Sequence, residues 1–137
     1  MAVEPPSRIA ILGAGPIGLE AALYARYLGY DITIYERGSV AENVLRWGHV
    51  TMFTPFAMNC SRLGRAAIEA QSPPSVLPDE DSLTTGALWA ESYLARLAQT
   101  DLVGDALRLH STTEFIGRDG LLKTDSPGSP PRAEVPF

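Results

Sequence analysis

The stretch Arg8-Ile-Ala-Ile-Leu-Gly-Ala-Gly-Pro-Ile-Gly18 constrains this 137-residue chain more than any other. Ile9 to Leu12 is a short apolar run, the pattern of a strand buried on both faces of a parallel sheet. Gly13, Gly15 and Gly18 follow at G-x-G-x-x-G spacing, where that strand would turn into a helix. Each glycine has a separate physical job. Gly13 permits the tight turn, Gly15 lets the backbone approach a pyrophosphate, and Gly18 lets the helix lie close to the strand. The helix start aims unpaired N–H groups and the positive end of its dipole at the phosphates. Pro16 fits the first turn, where its missing N–H is not needed.

A glycine-rich turn alone says little, because such turns are common. Here the context is complete. Leu19 to Leu28 reads as a helix whose Ala21, Ala22 and Ala25 give a thin face for packing on a sheet, and Gly29 falls at the C-cap position. Asp31-Ile-Thr-Ile-Tyr35 reads as a second strand. It leads into Glu36, eighteen residues after Gly18, where a carboxylate accepts hydrogen bonds from ribose hydroxyls. The competing reading is a plain βαβ unit with a chance glycine turn and a surface Glu. The order strand, turn, helix, strand, acid speaks against it.

Composition bounds the rest. The chain is 45% hydrophobic and 20% charged, which suits one core of an ordinary soluble domain. A formal charge of −5 argues against a nucleic-acid footprint, which needs a basic patch. Cys60 is the single cysteine, so neither an internal disulfide nor a CxxC redox pair is available. No stretch has the length of a membrane span or the layout of a signal peptide, and the expected setting is cytoplasmic.

Further along, Ser39-Val-Ala-Glu42 reads as a capping box that opens a short helix through Trp47. Gly48 to Asn59 reads as an irregular loop, Ser61 to Ala70 as a helix, and Ser72 to Asp81 as a turn-rich surface loop. Thr84 or Thr85 caps a firmer helix that carries Ala87, Ala90, Leu94 and Leu97 on one face. Strands are expected at 107–110 and 112–116. Residues 1–124 form the expected domain, and 125–137 is a Pro/Gly/Ser-rich, disordered-looking end. One glycine fingerprint supplies half of a two-part dinucleotide fold. The chain is therefore expected to be the N-terminal part of a longer protein, or the product of a truncated gene, with Val135 to Phe137 starting a further strand.

Residues 8–37 resemble the N-terminal FAD-binding fingerprint of two-dinucleotide-binding-domain flavoproteins, the thioredoxin-reductase-like and flavin-containing-monooxygenase-like enzymes. The resemblance implies a three-layer, Rossmann-like α/β fold with a parallel central sheet, incomplete here. It implies FAD as cofactor, with NAD as the alternative, and NAD(P)H as co-substrate of the full-length protein. Carried over by position, Gly13, Ala14, Gly15, Pro16, Ile17 and Gly18 line the pyrophosphate, Glu36 holds the adenosine ribose and Arg37 lies beside the adenine. Arg46 or Trp47 contacts phosphate or ring, on a run that such enzymes lay along the flavin.

The remaining candidates read as structural. Trp47 and Phe53 are expected in the core, since buried aromatics are mostly packing. Cys60 is expected to be a buried thiol, and Asp79-Glu80-Asp81 a solvated cluster. His49 and His110 are too far apart in sequence to suggest a metal pair. No catalytic acid, base or nucleophile is named. Three functions stay open: the FAD-binding part of an NAD(P)H-linked oxidoreductase or monooxygenase, an NAD-binding module of a non-flavin dehydrogenase, and a non-catalytic dinucleotide-binding fragment.

Overall fold

A computed structural model describes residues 4–71, 76–118, 120–128 and 130. Strand β1 (Arg8–Leu12) pairs in parallel with β2 (Asp31–Tyr35), Ile9 opposite Ile32 and Ile11 opposite Ile34. Helix α1 (Pro16–Tyr27) joins them. A parallel pair needs such a crossover, because a tight turn would return the chain antiparallel. Strand β3 (Leu107–Arg108) adds in parallel to the far side of β2, giving the order β1-β2-β3. The fold is Rossmann-like α/β, as the glycine turn implies.

The strands bury one face. In β2 the alternation sends Ile32 and Ile34 inward, 3% and 0% exposed, while Tyr35 stays 39% exposed. On β1, Ile11 meets α1 at Gly18, whereas Ala10 and Leu12 lie open. The expected burial of β1 on both faces is thus corrected. The described residues supply a helical layer for the isoleucine face only.

α1 packs tightly because its sheet-facing residues, Leu19, Ala22 and Leu23, are fully buried. Each leucine contributes roughly 1.5–3 kcal/mol by leaving water. Gly29, at φ +88°, ends the helix: its N–H donates to Arg26 O and the Tyr30 N–H to Ala25 O. That closes the last turn in the expected way.

The long crossover from β2 to β3 carries the rest of the core. It holds α2 (Glu42–Arg46), a 3-10 turn (Phe56–Asn59) and α3 (Arg62–Glu69). A helical run follows, made of α4 (Gly86–Trp89), a π turn (Ala90–Leu94) and α5 (Ala95–Leu97). Ser61 and Thr85 cap α3 and α4, accepting from the Gly64 and Leu88 N–H groups. The stretch read as irregular, Gly48 to Asn59, satisfies its backbone against residues 80–87. Met52 N–H donates to Thr84 O, Phe56 N–H to Ser82 O and Gly86 N–H to Val50 O, each at 2.9 Å.

Several expectations need correction. Phe53 is 93% exposed and Phe56, at 1%, takes the core position. Trp47 is 38% exposed, its ring lying against Gly86. The capping box is half formed: Glu42 accepts from Ser39 N–H, but the helix is entered from Ala41 at φ +57°. β3 stops at Arg108, and His110 turns into the left-handed region at φ +54°. Residues 112–116 form no strand, since no described segment offers them a ladder. Val135 to Phe137 lies outside the described residues.

One polar knot ties three elements together. The Tyr93 hydroxyl, set by the π turn, donates to the Glu20 carboxylate of α1 and accepts from Ser61 N–H at the start of α3. Burial pushes the Tyr93 hydroxyl pKa upward, and the bond to Glu20 pushes it the same way. Gly64 leaves the room, because a Cβ there would collide with the hydroxyl. Tyr93→Phe should cost about 1–3 kcal/mol, the range for losing a hydrogen bond to a charged, half-buried group. Urea unfolding followed by circular dichroism checks this; a loss below about 0.5 kcal/mol would show the knot to be ornamental.

Candidate functional site: the glycine turn and Glu36

β1 and β2 run in the same direction, so their carboxyl ends deliver the glycine turn and Glu36 to one edge of the sheet. That edge is where open α/β sheets place their ligands. The turn closes on the neighbouring strand: Gly13 N–H donates to Tyr35 O at 2.8 Å.

The three glycines separate cleanly by cause. Gly13 sits at φ +102°, a conformation a side chain would strain. A Cβ on Gly18 would lie 1.9 Å from Gly13 O and 3.5 Å from Ile11 Cγ2, so close helix–strand packing excludes it. Gly15 has neither reason. Its φ is −82° and nothing lies within 4 Å of where its Cβ would be. The empty space in front of Gly15, at the N-cap of α1, fits a ligand that approaches the backbone. The Leu19 N–H is the one that bonds back to Gly15 O, which leaves the N–H groups of Ile17 and Gly18 to the opening turn.

Glu36 is held from inside. Its Oε2 accepts from Ala14 N–H and its Oε1 from Gly38 N–H, both at 2.8 Å. Its own N–H donates to Arg108 O on β3, and its O accepts from Ser111 N–H just beyond that strand. A carboxylate offers about four lone-pair directions, so two remain for ligand hydroxyls. Ala14 is fully buried, with its N–H given to Glu36 and its O accepting from Ala41 N–H. It anchors the turn from beneath, with no free backbone donor for a phosphate.

Two hollows meet at Glu36. A narrow cleft lies between Gly15, Pro16, Glu36, Arg37 and Asn43. A wider groove runs from Gly13 past Tyr35, Glu36 and Arg37 to the wall formed by 111–116. Asn43 lines both, and sequence reasoning passed over it, as it did the 111–116 wall. No motif marks either; both arrive through the ends of α2 and β3.

Arg46 and Trp47 are not brought to these hollows. Arg46 pairs with Glu42 at 2.9 Å, one helical turn away on α2, and Trp47 packs at Gly86. The Ser39 backbone N–H, then the Arg46 guanidinium, hold the Glu42 carboxyl below its ordinary pKa. Ile17 is 82% exposed at the mouth of α1. His49 and His110 are both exposed, and no group of three metal-ligating side chains occurs among the described residues. Glu80 of the acidic cluster is paired with Arg65.

Cys60 is half-buried, and burial pushes its pKa up to about 12. The nucleophilic form of a thiol is the thiolate, so this cysteine is chemically quiet at neutral pH.

The fold and the glycine turn define a Rossmann-like, nucleotide-binding segment. Residues 8–44 match the family model described as pyridine nucleotide-disulphide oxidoreductase. That match covers β1, α1, β2 and the start of α2, and so includes residues 8–37, which carry the resemblance. The chain is 49% identical over 41 residues to the NAD-dependent dihydropyrimidine dehydrogenase subunit PreT of Salmonella typhimurium, 30% of this chain and 10% of that protein. It is 50% identical over 38 residues to the kynurenine 3-monooxygenase of Phaeosphaeria nodorum, 28% of this chain and 8% of that one. A longer, weaker likeness is to the formate-dependent phosphoribosylglycinamide formyltransferase of Burkholderia cenocepacia. There the identity is 29% over 127 residues, 90% of this chain and 30% of that protein. The chain spans at most about a third of the curated relatives it matches. No solved structure matches it significantly. No helix among the described residues is long and apolar enough to cross a membrane.

Gly15→Ala should leave stability within about 0.5 kcal/mol of the parent, because the site is open and φ is ordinary. Gly18→Ala should cost about 1–3 kcal/mol, the range for overpacking against fixed backbone. Thermal and urea unfolding of both variants separate the two. Cys60 should resist thiol reagents at about pH 8 until the chain is unfolded. The raised thiol pKa adds stability in full below the ordinary thiol value of 9.0, and that contribution is lost as pH climbs toward about 12. Rapid labelling of the native chain at about pH 8 would contradict this.

Proposed function

We propose that this chain is the FAD-binding N-terminal part of an NAD(P)H-linked oxidoreductase, and that it holds the ADP half of the dinucleotide. The observation that carries the reading is Gly15, the one fingerprint glycine with open space before it and no strain to explain it. The pyrophosphate lies over Gly15 and the first turn of α1, and the adenosine ribose gives its hydroxyls to the two unused lone-pair directions of Glu36. Arg37 and Asn43 flank the ribose, and the adenine follows the groove toward 111–116. Pro16, Ile17 and Gly18 complete the turn, with Gly13 and Ala14 shaping it from below. The flavin, when bound, supplies the hydride chemistry. The chain's own residues bind and orient it.

FAD is preferred to NAD on the resemblance of the G-A-G-P-I-G turn and the Glu36-Arg37 ending. Glu36 also repels a 2′-phosphate, so NADP is the poorest ligand for this site. The match to a pyridine nucleotide-disulphide oxidoreductase model supports the redox class. Cys60, alone and quiet, gives no support to disulphide reduction within these residues.

A second reading rests on the longer likeness, to a phosphoribosylglycinamide formyltransferase over 127 residues. On it, the glycine turn takes a phosphoribosyl compound instead of a dinucleotide.

Titration with FAD, NAD, NADP, ADP and phosphoribosylglycinamide, read by calorimetry, decides between them. The expected order places FAD first, ADP retaining most of its affinity, and NADP last. Gly15→Val should abolish FAD and ADP binding, since its branched side chain fills the pyrophosphate position. Glu36→Gln should weaken ADP by about 1.5–3 kcal/mol, the range for hydrogen bonds to a charged acceptor. Tightest binding of phosphoribosylglycinamide would install the second reading, and NAD ahead of FAD would make this an NAD module.

A further inference from the structure

The narrow cleft between the glycine turn and Glu36 is lined by two side chains with N–H groups to give, Arg37 and Asn43. Its carboxylates, Glu36 and Glu42, accept and do not donate. Glu42 is already engaged, by the Ser39 N–H and the Arg46 guanidinium. Asn43 also lines the wider groove, so it stands where the two hollows meet.

Strained backbone holds that placement. Among the described residues Ala41 and His110 are the non-glycine residues in the left-handed region, at φ +57° and +54°. Such residues cost stability and cluster where a site needs the conformation. Both flank Glu36. Ala41 is buried, donates its N–H to Ala14 O in the glycine turn, and leads into α2 two residues before Asn43. His110 precedes Ser111, which lines the groove and donates its N–H to Glu36 O. One strained residue thus sets the Asn43 wall of the site and the other sets the far wall.

Resting on the ADP reading above, we propose that Asn43 is the donor that reads the ribose 3′-oxygen, and that the site selects adenine nucleotides with a free 3′-hydroxyl. A ribose diol that gives both protons to Glu36 still has lone pairs on both oxygens, which a carboxylate cannot serve. Left unpaired in a narrow cleft, those lone pairs cost affinity. The order of atoms along the ligand assigns the oxygen. In a nucleotide the 3′-carbon lies on the phosphate side of the sugar and the 2′-carbon on the base side. With the pyrophosphate over Gly15 and the adenine in the groove toward 111–116, the 3′-hydroxyl falls in the cleft that Gly15, Glu36 and Asn43 line. There the Asn43 amide N–H donates to the oxygen whose proton goes to Glu36. Arg37 is a charge on a long, exposed arm. It tightens every phosphate ligand alike, whereas the short neutral amide on α2 distinguishes one hydroxyl from the other.

Calorimetric titration of the parent, Asn43→Ala and Asn43→Asp with ADP, 2′-deoxy-ADP and 3′-deoxy-ADP tests this. Asn43→Ala should weaken ADP and 2′-deoxy-ADP by about tenfold, the loss of one hydrogen bond whose partner stays out of water. It should shift 3′-deoxy-ADP by less than about twofold, since that ligand lacks the oxygen Asn43 serves. Asn43→Asp keeps the shape and an acceptor but removes the donor, so it should weaken ADP at least as much as Asn43→Ala does. Equal losses for all three nucleotides point to a structural role and overturn the proposal. So does a loss that spares 2′-deoxy-ADP, or an Asn43→Asp variant that binds ADP as tightly as the parent. ADP binding by the parent that Asn43→Ala leaves intact overturns the Asn43 assignment alone. A parent that binds no ADP overturns the dinucleotide reading, and the Asn43 assignment with it.

Discussion

The carboxylate of Glu36 is the point on which the site depends. One oxygen grips the Ala14 N–H inside the glycine turn and the other grips Gly38 N–H just beyond β2. A charged acceptor for two backbone donors is worth more than a neutral one, and here it spans two chain segments far apart in sequence. It fixes the turn relative to the strand end before any ligand arrives. The carboxylate is oriented by bonds it makes to its own chain, so its rotamer is already fixed by the fold.

Around that grip the parts divide into what holds shape and what stays open. Gly13 and Gly18 are glycine for internal reasons, backbone conformation in one case and contact with Gly13 O in the other. Gly15 is glycine for no internal reason. The same division runs through α1. Leu19, Ala22 and Leu23 lock it to the sheet, and Glu20 ties it to Tyr93 and Ser61, while Ile17 at its start remains exposed. The π turn at Ala90–Leu94 belongs to the locking side, since it carries the Tyr93 hydroxyl to Glu20.

The sheet itself is lopsided. Among the described residues its isoleucine face is covered, while its other face, with Ala10, Leu12 and Tyr35, is open. A strand of the composition Ile-Ala-Ile-Leu normally sits inside a sheet with cover on both faces. Within the described residues that composition exceeds the cover supplied.

The βαβ unit was legible from residue types and spacing alone, because every device in it is local. An apolar run, a glycine turn, a Pro at the first helical position, a C-cap glycine and an alternating strand each act within a few residues. The glycines and Glu36 were legible for the same reason. What the tertiary structure decided is everything that depends on partners distant in sequence. Phe53 and Phe56 are three residues apart and chemically identical, and only the pairing of Gly48–Asn59 with 80–87 determined which of them enters the core. The strand expected at 112–116 had the composition for one but no described ladder to join. Ala14 turned from a phosphate contact into a buried anchor because Glu36 took its N–H. Asn43 reached the site through the placement of α2, and Arg46 was turned away from it by Glu42. Local rules act through the chain and can be read along it; burial and hydrogen-bond partnership act through space, and the fold alone assigns them.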